Sequence, residues 1–253
     1  MKPFILAETN FKTLKDQEIE LAVLPWGATE AHNYHLPFST DNVLAESIAR
    51  DSARVAWDKG AKVIVLPAIP FGVHTGQPDI RLNINLNPST QLIILNDIID
   101  VLNRHKIYKF LILNGHGGND FKQMIRELGL RYPKMFICGC NWFQSFKNSD
   151  FFENSGGHAD EMETSIMQYL VPELVLPLNE AGKGEGKKFK IKPFNENWAW
   201  AERKWSQVTA DTGIGNPYKS TPEKGEKCYK EIIRKISGLM IDLSKADINN
   251  MYE

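Results

Sequence analysis

Cysteine is scarce: Cys138, Cys140 and Cys228 are the three in 253 residues. Three thiols cannot make a disulfide framework, and Cys138-Gly-Cys140 lacks the C-x-x-C spacing of a redox or zinc-knuckle pair. Charge of one sign is also missing. Thirty Lys plus Arg against 31 Asp plus Glu leave a net charge of −1. A nucleic-acid coat or a polybasic membrane surface needs a clustered excess of one sign, so both partners are excluded. The lysines that do cluster (Lys183, Lys187, Lys188, Lys190, Lys192) alternate with glycines and suit a solvated loop. Long hydrophobic runs are absent too. The longest, Val63 to Val73, is broken by Pro67 and Pro70, far short of the roughly 18 residues of a membrane span. Before Glu8 only Phe4-Ile-Leu-Ala7 is apolar, too little for a secretory signal. The expected location is the cytoplasm.

What is present is an ordinary globular composition, 42% hydrophobic and 24% charged. A chain of this length buries roughly 70% or more of its unfolded surface and needs no staple to stay folded. Short β-branched runs alternate with helical patterns, which reads as βαβ units and a largely parallel sheet. Strands are expected at Leu21–Pro25, Lys62–Leu66, Lys109–Leu113 and Met135–Cys138. Helices are expected from Asp41 to Lys59, closed by Gly60, and from Asn87-Pro88-Ser89 onward, with Leu92, Leu95, Ile99 and Leu102 at helical spacing. A third runs from about Phe121 to Leu130. A last one starts at Thr221-Pro222-Glu223, with Tyr229, Ile232, Ile236, Met240 and Leu243 on one face. Between Asn179 and Ser220 lie five glycines, two prolines and three tryptophans (Trp198, Trp200, Trp205) with weak periodicity. So long a loop is usually functional or disordered, and the tryptophans argue against disorder. It reads as an excursion over a site or a neighbouring subunit. No repeat or linker divides the chain, and a single domain over residues 1–253 is expected.

Three stretches combine metal-ligating side chains with permissive glycines at strand ends or helix starts, the edge where open α/β sheets bind ligands. The first holds Glu30, His32, His35 and Asp41 after the first strand. Glu30 and His32, two apart, project to one side of an extended or looped backbone. Asp41 alone also suits a helix N-cap. The second is Asn114-Gly-His116-Gly-Gly-Asn119, after the third strand. It matches no nucleotide-binding glycine pattern, and its glycines let the backbone bend so that His116 points into a site. The third is Gly156-Gly-His158-Ala-Asp160-Glu161-Met-Glu163. Its acids also suit the dipole of a helix start.

Together these stretches resemble the creatininase family. The family's Glu-x-His-Gly-x-His-Leu-Pro-x-x-x-Asp is matched by Glu30, His32, His35, Leu36, Pro37 and Asp41, with Asn33 in place of the glycine. Its Asn-Gly-His-Gly-Gly-Asn is matched throughout from Asn114 to Asn119. Its His-Ala-Gly-x-x-Glu-Thr-Ser is matched by His158, Ala159, Glu163, Thr164 and Ser165, with Asp160 replacing the glycine. The resemblance implies a three-layer αβα sandwich with a mostly parallel central sheet, holding two divalent metal ions, and a homo-oligomer acting on a small-molecule substrate. It implies that Asp41 bridges the ions, that Glu30 and His116 hold one and that His32 holds the other. Such ligands suit Zn, Mn or Fe. The implied reaction is hydrolysis of a carbon–nitrogen bond in a cyclic amide or formamide, with His158 delivering a proton to the leaving nitrogen. The alternatives are opening of an oxidised cyclitol or other carbonyl ring, and a non-catalytic binding protein.

Two departures stand out. Creatinine amidohydrolase carries a glutamate ligand where this chain has Gly118, so the second ion needs another carboxylate. Glu161 shares a helical face with His158, whereas Glu163 occupies the family's position and is preferred here. The family's Gly-x-Ser-x-x-His is replaced by Gly72-Val-His74-Thr-Gly76-Gln77. This alters the polar groups facing the substrate and counts against creatinine itself.

Overall fold

The computed structural model describes residues 2–154 and 156–253. Its centre is a four-stranded parallel sheet of β1 (Leu21–Trp26), β2 (Val63–Val65), β3 (Lys109–Asn114) and β4 (Phe136–Asn141), in the order β2-β1-β3-β4. Registers run Leu21 with Val63, Leu21 with Lys109, and Lys109 with Phe136. The helices are α1 (Phe11–Leu14), α2 (Thr40–Asp58), α3 (Pro88–Arg104), α4 (Lys122–Arg131), α5 (Glu161–Leu170), α6 (Lys192–Asn195), α7 (Trp205–Val208) and α8 (Pro222–Lys245).

The two-residue period of a strand sends alternate side chains to opposite faces, and each face buries its own core. Leu21, Val23, Leu111 and Leu113 pack with Leu44 and Ile48 of α2, Ile166 of α5 and Ile232 and Ile236 of α8. Ala22, Leu24, Trp26, Phe110 and Ile112 pack with Leu95 and Ile99 of α3 and Leu128 of α4. Both faces are covered, which is why β1 and β3 are buried along their whole length and read as continuous apolar runs. The expected αβα layering is therefore observed.

Strand ends differ from expectation by one to three residues. β2 stops at Val65, just before Leu66-Pro67, since proline cannot donate to a ladder. β4 continues through Cys140 to Asn141 because each of its residues pairs with β3. Helix α2 begins at Thr40 with Ser39 in the cap position, so Asp41 lies inside the first turn rather than capping it. Gly60, at φ +83°, ends that helix as expected.

The order β2-β1-β3-β4 places the topological switch point between β1 and β3. The connection from β1 passes over one face and that leading into β3 over the other, which opens a crevice at their carboxyl ends. Glu30 and His32 follow β1 and His116 follows β3. The excursion from 179 to 220 contains only short helical turns, α6, α7 and a 3-10 turn at Leu178–Glu180. It is clamped beside the crevice: Trp205 N–H donates to Gly76 O at 2.9 Å, Thr75 Oγ1 bonds Glu202 at 3.0 Å, and Ser206 bonds Asp79. Trp205 is buried, whereas Trp198 and Trp200 stand exposed. Among the described residues, no helix is long and apolar enough to cross a membrane.

Candidate metal centre

The crevice gathers four buried histidines, His32, His74, His116 and His158, around three buried carboxylates, Glu30, Asp41 and Glu163. Each ring pairs one nitrogen with a backbone carbonyl. His32 Nδ1 lies 3.1 Å from Glu30 O, His74 Nδ1 3.1 Å from Ile84 O, His116 Nε2 3.1 Å from Val73 O and His158 Nε2 3.0 Å from Ala31 O. A carbonyl can only accept, so each of these nitrogens is the N–H donor and fixes the tautomer. The opposite nitrogen then faces the carboxylates. His116 Nδ1 lies 2.8 Å from Glu30 Oε1 and 3.0 Å from Asp41 Oδ2. His32 Nε2 lies 3.2 Å from Asp41 Oδ1 and 3.9 Å from Glu163 Oε2. His158 Nδ1 lies 3.8 Å from Glu30 Oε1.

Lone pairs aimed at carboxylates need a proton or a metal cation between them. Asp41 Oδ2 and His74 Nε2 are buried without a hydrogen-bond partner, as expected of atoms meant for an ion rather than for each other. Charges tell the same story. Burial disfavours the His32 imidazolium, but Asp41, Glu163 and Glu30 outweigh it and raise its pKa to about 10. His116 is likewise pushed well above its ordinary value, against burial, by Glu30 and Asp41. Without metal these carboxylates hold protons on the rings, and a divalent ion would replace those protons. Three donor sets have ligand atoms within 4.8 Å of one another: Glu30, His74 and His116; Glu30, His32 and His158; and His32, Asp41 and Glu163. Nitrogen and oxygen donors without thiolate fit zinc, iron or manganese.

Local sequence explains how the residues arrive. Asn33, where the family has glycine, adopts φ +55°, a left-handed conformation that asparagine tolerates. It carries the chain from His32 towards His35, whose Nε2 bonds Thr164 Oγ1 at 2.8 Å, outside the cluster. The two asparagines of Asn114-Gly-His116-Gly-Gly-Asn119 build the turn. Asn114 Oδ1 accepts from His116 N–H at 3.1 Å and from Asn119 Nδ2 at 3.0 Å, while Asn119 Oδ1 accepts from Val73 N–H at 3.1 Å. At Gly118 a Cβ would run into His116 Nε2 and Val73 O, the hydrogen-bonded pair that orients the ring. A glutamate there is incompatible with this backbone.

A buried carboxylate, Glu163, reaches the cluster instead from α5. Asp160 caps that helix, its Oδ1 accepting from Met162 and Glu163 N–H and its Oδ2 from Gly156 and Gly157 N–H. The helix therefore starts at Glu161, and His158 precedes it, with Ala159 at φ +52°. The helical spacing between His158 and Glu161 does not apply. Glu163 turns to His32, and its pKa is raised to about 8 chiefly by burial. Glu161 points away. It accepts from Glu153 and Asn154 N–H at 3.1 and 2.8 Å and pairs with Lys224 at 2.6 Å. Glu163→Gln should weaken one metal site by ~10-fold or more, since even outer partners of ligands are worth 10–100-fold. Glu161→Gln should keep its metal content but lose ~1.5–3 kcal/mol of stability, the range for hydrogen bonds to a charged group. Metal titration and chemical denaturation of both variants check this. The opposite pattern would place Glu161 at the centre.

The sequence places His74 in a substrate-facing stretch but not among the metal-ligating candidates, because no acidic or histidine neighbour in the chain marks it. The cleft above the centre measures about 700 Å³ and is walled on one side by Trp200, Glu202, Arg203 and Trp205 of the excursion.

A family model described as creatininase (creatinine amidohydrolase) matches residues 6–240. The crystal structure of a Bacteroides fragilis protein provisionally named creatinine amidohydrolase is 42% identical, with a TM-score of 0.93 and all of both chains covered. The mycofactocin precursor peptide peptidase of Mycolicibacterium smegmatis is 23% identical over 85% of this chain and 82% of its own. The creatinine amidohydrolase of Pseudomonas putida is 26% identical over 64% and 71%. The 3-dehydro-scyllo-inosose hydrolase of Thermotoga maritima is 24% identical over 63% of this chain and 53% of its own length. Creatininase structures in a manganese form and a zinc–zinc form, each 19% identical, share the fold, with TM-scores of 0.80 and 0.79 over 97% of this chain and all of theirs.

Proposed function

The chain belongs to the creatininase family of hydrolases, and on that premise we propose that it is a metal-dependent amidohydrolase cleaving the carbon–nitrogen bond of a cyclic amide or formamide. The observation that carries this reading is the set of buried histidines, each anchored through one nitrogen to a backbone carbonyl and turning the other to a shared group of carboxylates. Glu30, Asp41 and His116 would hold one divalent ion, and His32, Asp41 and Glu163 the other. When bound, such a pair lowers the pKa of a shared water towards about 7 and polarises a substrate carbonyl.

The remaining chemistry belongs to the chain. Burial keeps His158 below its ordinary pKa, so its Nδ1 is an open base near Glu30. From there it takes the proton released as water adds to the carbonyl and returns it to the leaving nitrogen. Trp205 meets the His158 ring edge-on at 5.3 Å between centroids and shields it from solvent. The cleft volume lies within the range of sites for drug-sized ligands and exceeds what a single five-membered ring fills, which together with His74 and Gln77 counts against creatinine.

The test is a panel of cyclic amides, N-formyl compounds, short peptides and cyclic ketones, given to zinc- or manganese-loaded protein and followed by mass spectrometry. Release of an amine with a new carboxylate or formate is expected from the first two classes. Turnover of cyclic ketones alone, with no nitrogen released, would replace this reading with ring opening of an oxidised cyclitol.

A further inference from the structure

We propose that His74 is a fourth ligand of the ion that Glu30, Asp41 and His116 hold, so that the two metal positions differ in nitrogen content and therefore in metal preference. The inference rests on the two-ion reading above.

His74 sits in the stretch that departs from the family pattern, so its role is not carried over from relatives. Its side chain is fully buried. The backbone around it is pinned, with His74 N–H donating to Asn85 Oδ1 at 2.7 Å and the ring Nδ1–H to Ile84 O at 3.1 Å. The ring packs against His116, 4.6 Å between centroids. This leaves Nε2, which has no hydrogen-bond partner, 3.3 Å from Glu30 Oε2. That oxygen already accepts from Gln77 Nε2 at 3.1 Å, and Asn83 donates to Gln77 Oε1, which fixes the amide's orientation. Gln77 therefore supplies the hydrogen bond, and His74 places a lone pair beside an acceptor. Two buried acceptors in contact are unfavourable unless a cation joins them. The His74 nitrogen and donor atoms of Glu30 and His116 fall within 4.8 Å of one another, close enough to share one ion.

The consequence is an asymmetric pair. One position has the imidazoles of His74 and His116 with the carboxylates of Glu30 and Asp41. The other has one imidazole, His32, with Asp41 and Glu163. Imidazole favours zinc and its neighbours, while carboxylate sites accept manganese, and affinities rise from manganese towards zinc for nitrogen-rich sets. The His74 position should therefore discriminate against manganese more strongly than the other.

The test is calorimetric titration of metal-free, full-length protein with Zn²⁺ and, separately, Mn²⁺, for wild type, His74→Ala and His74→Gln. Visible absorption of the Co²⁺-loaded forms is recorded alongside. His74→Gln keeps the side chain polar and of similar size, and it carries the test if the alanine variant does not fold. The expected result is a loss of ~100-fold or more in Zn²⁺ affinity at one position, beyond the 10–100-fold of an outer partner. The Mn²⁺ loss should be below ~10-fold, the other position unchanged and the Co²⁺ spectrum altered, following the greater dependence of zinc-like ions on nitrogen donors. A protonated His74 that merely braces Glu30 would weaken Zn²⁺ and Mn²⁺ by equal factors and leave the Co²⁺ spectrum intact. That outcome overturns the proposal, as do unchanged affinities. Wild-type protein binding no ion would overturn the two-ion reading and this inference with it.

Discussion

Asp41→Ala is expected to empty both metal positions together and abolish turnover. One carboxylate oxygen of Asp41 faces His32 and the other faces His116, at 3.2 and 3.0 Å, so on the proposed two-ion reading its removal would take a ligand from each position. Repulsion decides the outcome. Unit charges ~4 Å apart interact by ~4 kcal/mol at an effective dielectric of 20, and two dications by four times that. Without the shared anion, the remaining ligands face the full repulsion at both positions. Elemental analysis after gel filtration should find wild type near two ions per chain and the variant near none. Retention of both ions by Asp41→Ala would remove the bridging role. Asp41→Asn, which keeps the shape but not the charge, separates loss of the anion from loss of packing in the first turn of α2.

His158→Ala is expected to keep its ions and to lower kcat by ~10²–10⁴, the range for a general acid or base. His158 Nε2 is committed to Ala31 O at 3.0 Å, so only Nδ1 can exchange protons with the centre. That nitrogen lies 3.8 Å from Glu30 Oε1 and falls in one donor set with Glu30 and His32, so metal content decides between a ligand and a proton carrier. The ring also stacks on His32 with 4.2 Å between centroids, so removing it opens space but takes no anion from the centre. Metal content and single-turnover rates measured on the same preparation distinguish the roles. Loss of an ion, with unchanged rate per remaining metal, would make His158 a ligand and move proton transfer elsewhere.

Much of the centre is legible along the chain because its parts are local. Glu30, His32 and Asp41 fall within one stretch of twelve residues that follows β1, and His116 follows β3 between glycines whose close neighbours leave no room for a side chain at 115 or 118. The strands that carry them read as apolar runs because both sheet faces are covered. The choice between Glu161 and Glu163 depends on where α5 begins. Asp160 settles that locally by capping the helix, which puts His158 before the helix and breaks the spacing that favours Glu161. His74 shows the limit of local reading. It stands in a loop among Val73, Thr75 and Gly76, and only the packing of that loop between Asn85, Asn119 and the 200–206 strap brings it to Glu30. Of the excursion's tryptophans, Trp200 and Trp205 line the cleft, but only Trp205 is buried while Trp198 and Trp200 are exposed, so aromatic content there translates into burial at one position.

The most direct measurement is anomalous diffraction at the zinc edge from crystals of the zinc-loaded protein. The expected map has two peaks ~3.5–4 Å apart, the spacing of paired catalytic metals, with an Asp41 oxygen on each. A single peak, or a pair that does not share Asp41, would contradict the two-ion centre.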